Sequence, residues 1–409
     1  MTRQGLGPEY RKLWTAAAVS TLGDGVREAA LPLLAASLTH SPGQVAAVAF
    51  AGRLPWLLFA LVSGAVVDRV DRRRVMWQVD TGRTLIALFL AAAVVLESTS
   101  IPLLAVVAFV LGTGETLFDN AAQALMPAVV GREHLEAANS RLYAAQISSQ
   151  EFVGPPLGSL LFGLVAVAAP FFLDAGSFAV AAVLVLLMGG TYRASHRLSP
   201  ERTSLRSEIG EGLRWLWRHR LLRTLALMLG VWNLLTTAGF AIFVLFATQD
   251  LHVSNAGYGL LFSAGAVGSF AGSLLATRLM RALGPGTSLL VAVVGSGGAS
   301  LVVAFTSNAY LVGVMGAIGS LLAIVWNVIT VSLRQAIIPD ELLGRVNSVY
   351  RFLGWGMMPI GAALGGVLGS TLGLRSPFLV TGAVLLAVAL LTFRTVNDRA
   401  IAEARAAAG

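Results

Sequence analysis

The sequence predicts an all-α integral membrane protein, with twelve transmembrane helices arranged as two pseudo-symmetric six-helix bundles. Three observations carry this: a composition too apolar for water, twelve apolar stretches of spanning length, and a repeat that relates the two halves. The chain has 409 residues, 56% of them hydrophobic and only 12% charged, and its mean hydropathy is +0.76. A water-soluble chain carries about 25% charged residues, so too little polar surface is available here to face solvent.

A spanning helix needs about 20 mostly apolar residues. Such stretches fall at 13–38, 44–67, 75–97, 101–127, 143–165 and 169–190, then at 222–248, 256–280, 286–306, 308–333, 346–369 and 376–394. The first is too long and too charged for a cleaved signal peptide, and no small-residue cleavage site follows it. Of the 29 basic residues, 24 fall on the side shared by the two ends of the chain, and only Arg375 falls in a loop on the other. Arg27, Arg53, Arg83 and Arg351 lie within spans. Basic loops stay cytoplasmic, which places both termini inside a plasma membrane. The 28 arginines against the single Lys12 suggest a GC-rich bacterial genome and hence an inner membrane. The net charge of +8 is then topology and contact with the lipid bilayer, with no nucleic-acid partner implied.

Several chemistries are excluded by residue type. Cysteine is absent, which removes thiol nucleophiles and cysteine-held metals. Lys12 follows Gly7-Pro8-Glu9-Tyr10-Arg11, not the glycine-rich stretch of a phosphate-cradling loop. The five histidines lie between spans and form no metal-binding pair, so neither a metal site nor an enzyme is expected.

The segment from Glu133 to Ser140 (EHLEAANS) matches that from Glu341 to Ser348 (ELLGRVNS) at an offset of 208 residues, and Pro170-Phe171-Phe172-Leu173 resembles Pro377-Phe378-Leu379. Parallel six-span halves are a known transporter plan. The expected organisation is a bundle over 1–190, a linker over 191–221, a second bundle over 222–394 and a tail over 395–409. Within the linker, Ser207 to Leu221 reads as an amphipathic helix with Ile209, Leu213, Leu216 and Trp217 on one side. Such a helix either lies along the inner membrane surface or docks on the ends of the bundle.

The loop after span 2 runs Gly64-Ala65-Val66-Val67-Asp68-Arg69-Val70-Asp71-Arg72-Arg73-Arg74. This resembles the G-x-x-x-D-R-x-x-R-R loop of the major facilitator superfamily. The resemblance implies that Gly64, Asp68, Arg69, Arg72, Arg73 and Arg74 hold one conformation through contacts with neighbouring helices, with Asp80 and Arg83 beside them as a structural relay. Gly23-Asp24-Gly25, Leu173-Asp174-Ala175-Gly176-Ser177-Phe178 and Glu211-Gly212-Leu213-Arg214-Trp215-Leu216-Trp217-Arg218 are similar to one branch of that superfamily. It contains enterobactin exporters, macrolide-efflux proteins and mycobacterial tetracycline/aminoglycoside efflux pumps. In span 5, Gly154, Pro155 and Gly158 resemble part of the exporter motif of drug/proton antiporters. Proline and glycine in a span also bend it and let helices approach closely.

An ionised carboxylate at the bilayer centre costs about 2.5–3.5 kcal/mol, so acids within spans mark function or a buried partner. All of them fall in the first half: Asp24 and Glu28 in span 1, Asp80 in span 3, Glu115 and Asp119 in span 4, Glu151 in span 5, and Asp174 towards the outer end of span 6, where it is expected to reach water. Asp24 and Glu28, and Glu115 and Asp119, are each four apart and share a helix face. Opposed carboxylates in a low-dielectric cavity exchange protons near neutral pH, so Asp24, Glu28, Glu115, Asp119 and Glu151 are the expected proton carriers. The other reading is a self-neutralised ion pair of Asp24, Arg27 and Glu28. Arg27, Trp232, Asn233, Phe240, Trp326, Asn327, Tyr350, Arg351 and Trp355 are the expected lining of an apolar pocket with few polar anchors.

Together these point to a secondary transporter: a proton-coupled exporter of amphipathic small molecules by alternating access, monomeric, needing no cofactor beyond the proton gradient. The alternatives are a dedicated exporter of one metabolite such as a siderophore or a lysolipid, an uptake symporter, and a non-transporting scaffold or receptor.

Overall fold

The structure is a computed structural model that describes residues 7–67, 70–131, 134–190, 192 and 205–407, with the backbone alone described for 60–67, 136, 205–209 and 340. Asp68 and Arg69 lie outside the described residues, and Gly64 is described only as helical backbone.

All the regular structure among the described residues is helical. Span 1 is Pro8–Leu38, span 2 Pro42–Val67, span 3 Arg72–Val95, span 4 Ile101–Val129 and span 6 Ala169–Leu186. Span 5 is built in pieces: Leu135–Ile147, a π-helical turn Ser148–Val153, Gly154–Leu160, and a second π turn Leu161–Val165. Its irregularity has a local cause. Pro155 and Pro156 carry no backbone N–H, so the ordinary ladder cannot continue through them, and Gly154 N–H reaches back to the carbonyl of Ser149 instead. A linker helix Leu205–Arg218 precedes span 7, Arg220–Ala241, which continues through Phe243–Leu245 and a π turn at Phe246–Asp250. Spans 8, 9 and 10 are Asn255–Leu283, Pro285–Phe305 and Ala309–Ile337. Span 11 runs from Asp340–Trp355 through Gly356 into Met357–Leu372, span 12 is Ser376–Thr392, and a short helix Asp398–Ala406 closes the chain.

Eight of these helices are long and apolar enough to cross a membrane: spans 3, 4 and 6 to 11. Of the other four, span 1 carries Asp24, Arg27 and Glu28, and the last residues of span 2 are backbone only. Span 5 is divided, and span 12 is 17 residues long. Helix starts follow side-chain chemistry. Asp71 accepts from the backbone N–H of Arg73 (3.0 Å) and Arg74 to open span 3. Ser100 opens span 4 and Asn308 span 10 in the same way.

The chain divides into two compact units, residues 1–197 with 253–263, and residues 198–252 with 264–409. In the first, span 1 packs against spans 5 and 6, span 3 against spans 4 and 6, and span 2 against span 4. In the second, span 7 packs against spans 11 and 12, and span 9 against spans 10 and 12. The pairing order repeats, as the sequence offset suggests. A glycine pair recurs at the same place in both. A Cβ on Gly154 would lie 2.6 Å from Gly25 Cα, and one on Gly158 would meet the Val26 carbonyl. In the second unit Gly361 and Gly365 meet the backbone of Leu234 and Ala238 in the same way. Gly154 and Gly158 of span 5, and Gly361 and Gly365 of span 11, therefore serve span–span contact in their own halves.

The second unit is closed at one end by Asp398, which accepts from Gly286 N–H (2.7 Å) and Thr287 Oγ1 (2.8 Å) at the start of span 9. A carboxylate at a helix N-terminus satisfies otherwise orphaned donors. Asp398→Ala is expected to destabilise this unit by about 1–2 kcal/mol, read as a lowered Tm of the detergent-solubilised protein with transport retained.

His219 joins the linker helix to span 7. Its Nδ1 accepts from Leu222 N–H (3.3 Å) and its ring stacks on Trp215 at 5.4 Å. Burial holds its pKa below the ordinary histidine value, so the folded chain binds fewer protons here than the unfolded chain does. The cap therefore contributes fully above the unfolded pKa of about 6.5 and fades as pH falls towards the folded one. Wild-type Tm is expected to drop over this window more steeply than that of His219→Asn, which retains an acceptor and does not titrate.

Candidate functional site

The polar interior of the first unit is one cluster built by spans 1, 3, 4 and 6. Arg83 enters from span 3, 11 residues past its start and so about 16 Å along the helix at 1.5 Å per residue. Its guanidinium contacts Asp24 at ion-pair distance, lies 3.3 Å from Asp80 Oδ1 and 3.2 Å from Ser20 Oγ, and stacks 3.8 Å over the Phe178 ring. The sequence position suggested a relay beside the basic loop. The structure puts Asp80 and Arg83 in the bundle interior instead, at 0% and 3% exposure. Room for the Arg83 chain comes from span 4, where a Cβ on Gly114 would lie 2.8 Å from Arg83 Cγ and Cδ.

Arg27 was expected to line a substrate pocket. It lies instead among three carboxylates: Asp24 at 2.5 Å, Asp174 at 3.4 Å and Glu115 at 3.5 Å. Asp24 thus bridges the two guanidinium groups. Asp174 is fully buried, which corrects the expectation that it reaches water. Among the described residues its oxygens accept no hydrogen bond and Arg27 Nε donates none, although the two stand within ion-pair distance. The signal that would have found Asp174 was Gly23. A Cβ there would meet the side chains of Ser177 and Asp174, so the glycine is what brings span 6 onto the acid-bearing turn of span 1.

The expected self-contained triad of span 1 is divided. Asp24 pairs with Arg27 and Arg83, whereas Glu28 turns to Arg53 of span 2 at 2.6 Å. Glu115 and Asp119 are half-buried on one face of span 4, and Asp119 makes no hydrogen bond or ion pair among the described residues. Glu151 is exposed on the first π turn of span 5. With Glu28 and Arg53 neutralising each other, five carboxyl groups (Asp24, Asp80, Glu115, Asp119, Asp174) share two guanidinium groups. If all were ionised, the interior would hold three uncompensated negative charges, a large cost in a low-dielectric bundle. Among the described residues, this surplus of carboxyl over guanidinium groups is the chemical property that sets the site apart.

The basic loop acts on helix ends. Arg72 Nη1 donates to the Ala124 carbonyl near the end of span 4 (2.8 Å). Arg73 donates to the carbonyls of Val185 (3.1 Å), Leu186 and Gly190 (3.1 Å) at the end of span 6. Lys12 adds the carbonyl of Leu187 at 2.8 Å. Cations there satisfy orphaned carbonyls and favour the helix dipole. Arg74 is exposed.

The second unit holds aromatic residues where the first holds acids. Trp232 and Trp326 pack ring to ring at 5.6 Å, and Tyr350 is covered by Arg334 at 4.1 Å. All three were expected to line a pocket, and all are core residues, exposed by 6%, 3% and 2%. Residues 222, 225 and 289 are among the leucines that surround them. Arg334 lies just past the apolar stretch 308–333 and is among the 24 basic residues assigned to the cytoplasmic side. It is buried in the last turn of span 10, donating to Asn347 Oδ1 at 2.9 Å. Asn233 is half-buried and donates to the Gly354 carbonyl (3.0 Å). Phe240, Asn327, Arg351 and Trp355 are exposed, with Arg351 4.6 Å over the Trp355 ring. A charged side chain exposed within a span marks a water-filled cavity and not lipid, so Arg351, with Trp355 against it, is the candidate lining of this half.

Comparison with known proteins agrees with the geometry. Residues 7–407 match the family described as transmembrane secretion effector. The multidrug efflux pump Tap of Mycolicibacterium fortuitum is 30% identical over 405 residues, covering 94% of this chain and 95% of that protein. The enterobactin exporter EntS of Citrobacter koseri is 29% identical over 401 residues, covering 96% and 92%. Among solved structures, a bacterial homologue of the iron transporter ferroportin superposes with a TM-score of 0.74 at 19% identity, covering 96% of this chain and 99% of that one. The nucleoside transporter NupG superposes at 0.77 with 9% identity, covering 95% and 99%. At those identities the likeness is one of fold.

Proposed function

The chain belongs to the transmembrane secretion effector family of major facilitator transporters, and from that premise we propose that it exports amphipathic small molecules in exchange for protons. The observation that carries this reading is the surplus of carboxyl groups over guanidinium groups in spans 1, 3, 4 and 6. A static bundle gains nothing from that surplus, whereas an antiporter needs groups whose protonation changes as the site opens to alternate sides. Asp24, Glu115 and Asp119 are the proposed proton carriers. Asp24 links both guanidinium groups, while Glu115 and Asp119 are half-buried and so within reach of water. Each charge moved is worth about 2.3 kcal/mol per 100 mV of membrane potential. The proposal includes the bacterial inner membrane, cytoplasmic termini, a monomeric working unit and no cofactor beyond the proton gradient.

The exposed set Phe240, Asn327, Arg351 and Trp355 supplies an apolar surface with few polar anchors, as a site for amphipathic molecules needs. The likeness to Tap supports a broad substrate range; the likeness to EntS favours a second reading, a dedicated exporter of one metabolite. Cells of an efflux-deficient bacterial host expressing the chain are expected to extrude several unrelated amphipathic dyes, and to stop when a protonophore collapses the gradient. Extrusion of none of the dyes, with a single metabolite still leaving the cell, would give the second reading its place.

A further inference from the structure

Over the described side chains of the linker helix Leu205–Arg218 there are two apolar faces, and among the described residues one of them is covered. Gly212 and Leu216 are buried, with Trp215 and His219 half-buried beside them. This face docks on span 11: a Cβ on Gly212 would lie 2.8 Å from the Arg345 carbonyl, and Glu211 pairs with Arg345. Further round the helix, Leu213 and Trp217 stand one turn apart, 41% and 48% exposed. Arg214 and Arg218 are exposed next to them, on the side away from span 11. Arg223 Nη1 donates to the Trp217 carbonyl at 3.0 Å, so the last turn that carries this side chain is held in place. The charge over 191–221 is one-sided, with seven arginines against three glutamates.

We propose that this outer face is a lipid-binding surface, on which Leu213 and Trp217 enter the headgroup layer of the inner leaflet while Arg214 and Arg218 contact its anionic phosphates. The chemistry matches such a surface and not a second protein helix. Among the described residues the apolar strip is two side chains, one of them a tryptophan of the kind that settles at membrane interfaces, and its flank is cationic. Docked on span 11 by one face and on lipid by the other, the helix couples the anionic lipid content of the membrane to the second half of the transporter. This rests on the cytoplasmic placement of the linker in the proposed topology, but not on proton coupling or on any substrate.

The absence of cysteine makes a clean test available, since Leu213→Cys or Trp217→Cys introduces the only thiol. Each full-length variant, labelled with an environment-sensitive fluorophore, is reconstituted into vesicles of phosphatidylcholine alone or of phosphatidylcholine mixed with the anionic lipid phosphatidylglycerol. Quenchers on the lipid headgroup-proximal carbons and in both leaflets make the reading independent of the orientation of the protein, so a failure of the topology would not imitate a failure of the proposal. In the anionic vesicles the fluorophore is expected to shift to the blue, to be quenched by the lipid-borne quencher and to be shielded from aqueous iodide. Arg214→Gln/Arg218→Gln on the same background is expected to reduce the lipid quenching at least about twofold, as loss of two interfacial charges implies. A fluorophore equally open to iodide in both vesicle types would overturn the proposal and leave the face to a protein partner. Insertion of equal depth in both vesicle types, unaffected by the arginine changes, would overturn the part played by anionic lipid.

Discussion

Asp24→Asn is expected to abolish substrate-driven proton movement and to lower stability at the same time, whereas Glu115→Gln is expected to abolish proton movement with a smaller loss of stability. The difference follows from their partners. Asp24 is 4% exposed and bridges Arg27 and Arg83, and removing one partner of a buried pair costs about 3–5 kcal/mol. The remaining carboxylates soften that cost, because Arg83 keeps Asp80 and Arg27 keeps Asp174 and Glu115. The lower end of the range is therefore expected. Glu115 has a side chain 19% exposed and stands 3.5 Å from an arginine that keeps two other partners, so its loss leaves no guanidinium unpaired and should cost less than that of Asp24. Thermal unfolding in detergent beside proton flux in vesicles separates the two effects. Equal destabilisation by both substitutions would mean that the cluster is a single structural ion network.

The second large effect is expected from Gly25→Val. A Cβ at this position would lie 2.5 Å from the Gln150 carbonyl and 2.9 Å from its Cα, and a backbone cannot move aside as the end of a flexible side chain can. Overpacking of this kind costs about 1–3 kcal/mol or more, and here it separates span 1 from span 5 one residue away from Asp24. Little folded protein should survive detergent extraction. Gly176→Ala, with nothing within 4 Å of its Cβ, is the matched control and should extract like wild type. Gly158→Val and Gly365→Val should be equally damaging, since each glycine meets a carbonyl of the first span of its own half. If Gly158→Val folded normally and lost export alone, the glycines of span 5 would belong to transport and not to packing.

Much of this was legible in the sequence because membrane proteins leave few alternatives. Apolar length, the arginine distribution and the offset of 208 residues together require a repeated helical bundle. The resemblance of the Gly64–Arg74 loop pointed to the same superfamily that the family match identifies. The acids of the first half were equally visible, since a carboxyl group in a span stands out by cost alone. Their partners were not. Arg83 was placed within span 3 as a relay beside the basic loop, yet the glycine at 114 lets it run into the bundle as far as Asp24. Asp174 looked solvated by its depth, but depth along a span says nothing about which neighbour the face meets. Trp232, Trp326 and Tyr350 looked like a pocket because aromatic residues serve packing and binding alike. Only the contacts of the second half show that these three are core and that Phe240, Arg351 and Trp355 are exposed.

The central claim is that the surplus carboxyls of the first half carry the coupling protons. Everted vesicles, in which respiration acidifies the lumen, test it most directly: a pH-sensitive dye is followed as amphipathic compounds are added to wild type, Asp24→Asn and Glu115→Gln. The account predicts dequenching in wild type, as protons leave in exchange for substrate, and none in either variant at matched protein levels. Undiminished dequenching in both variants would contradict it and move the coupling site away from spans 1 and 4.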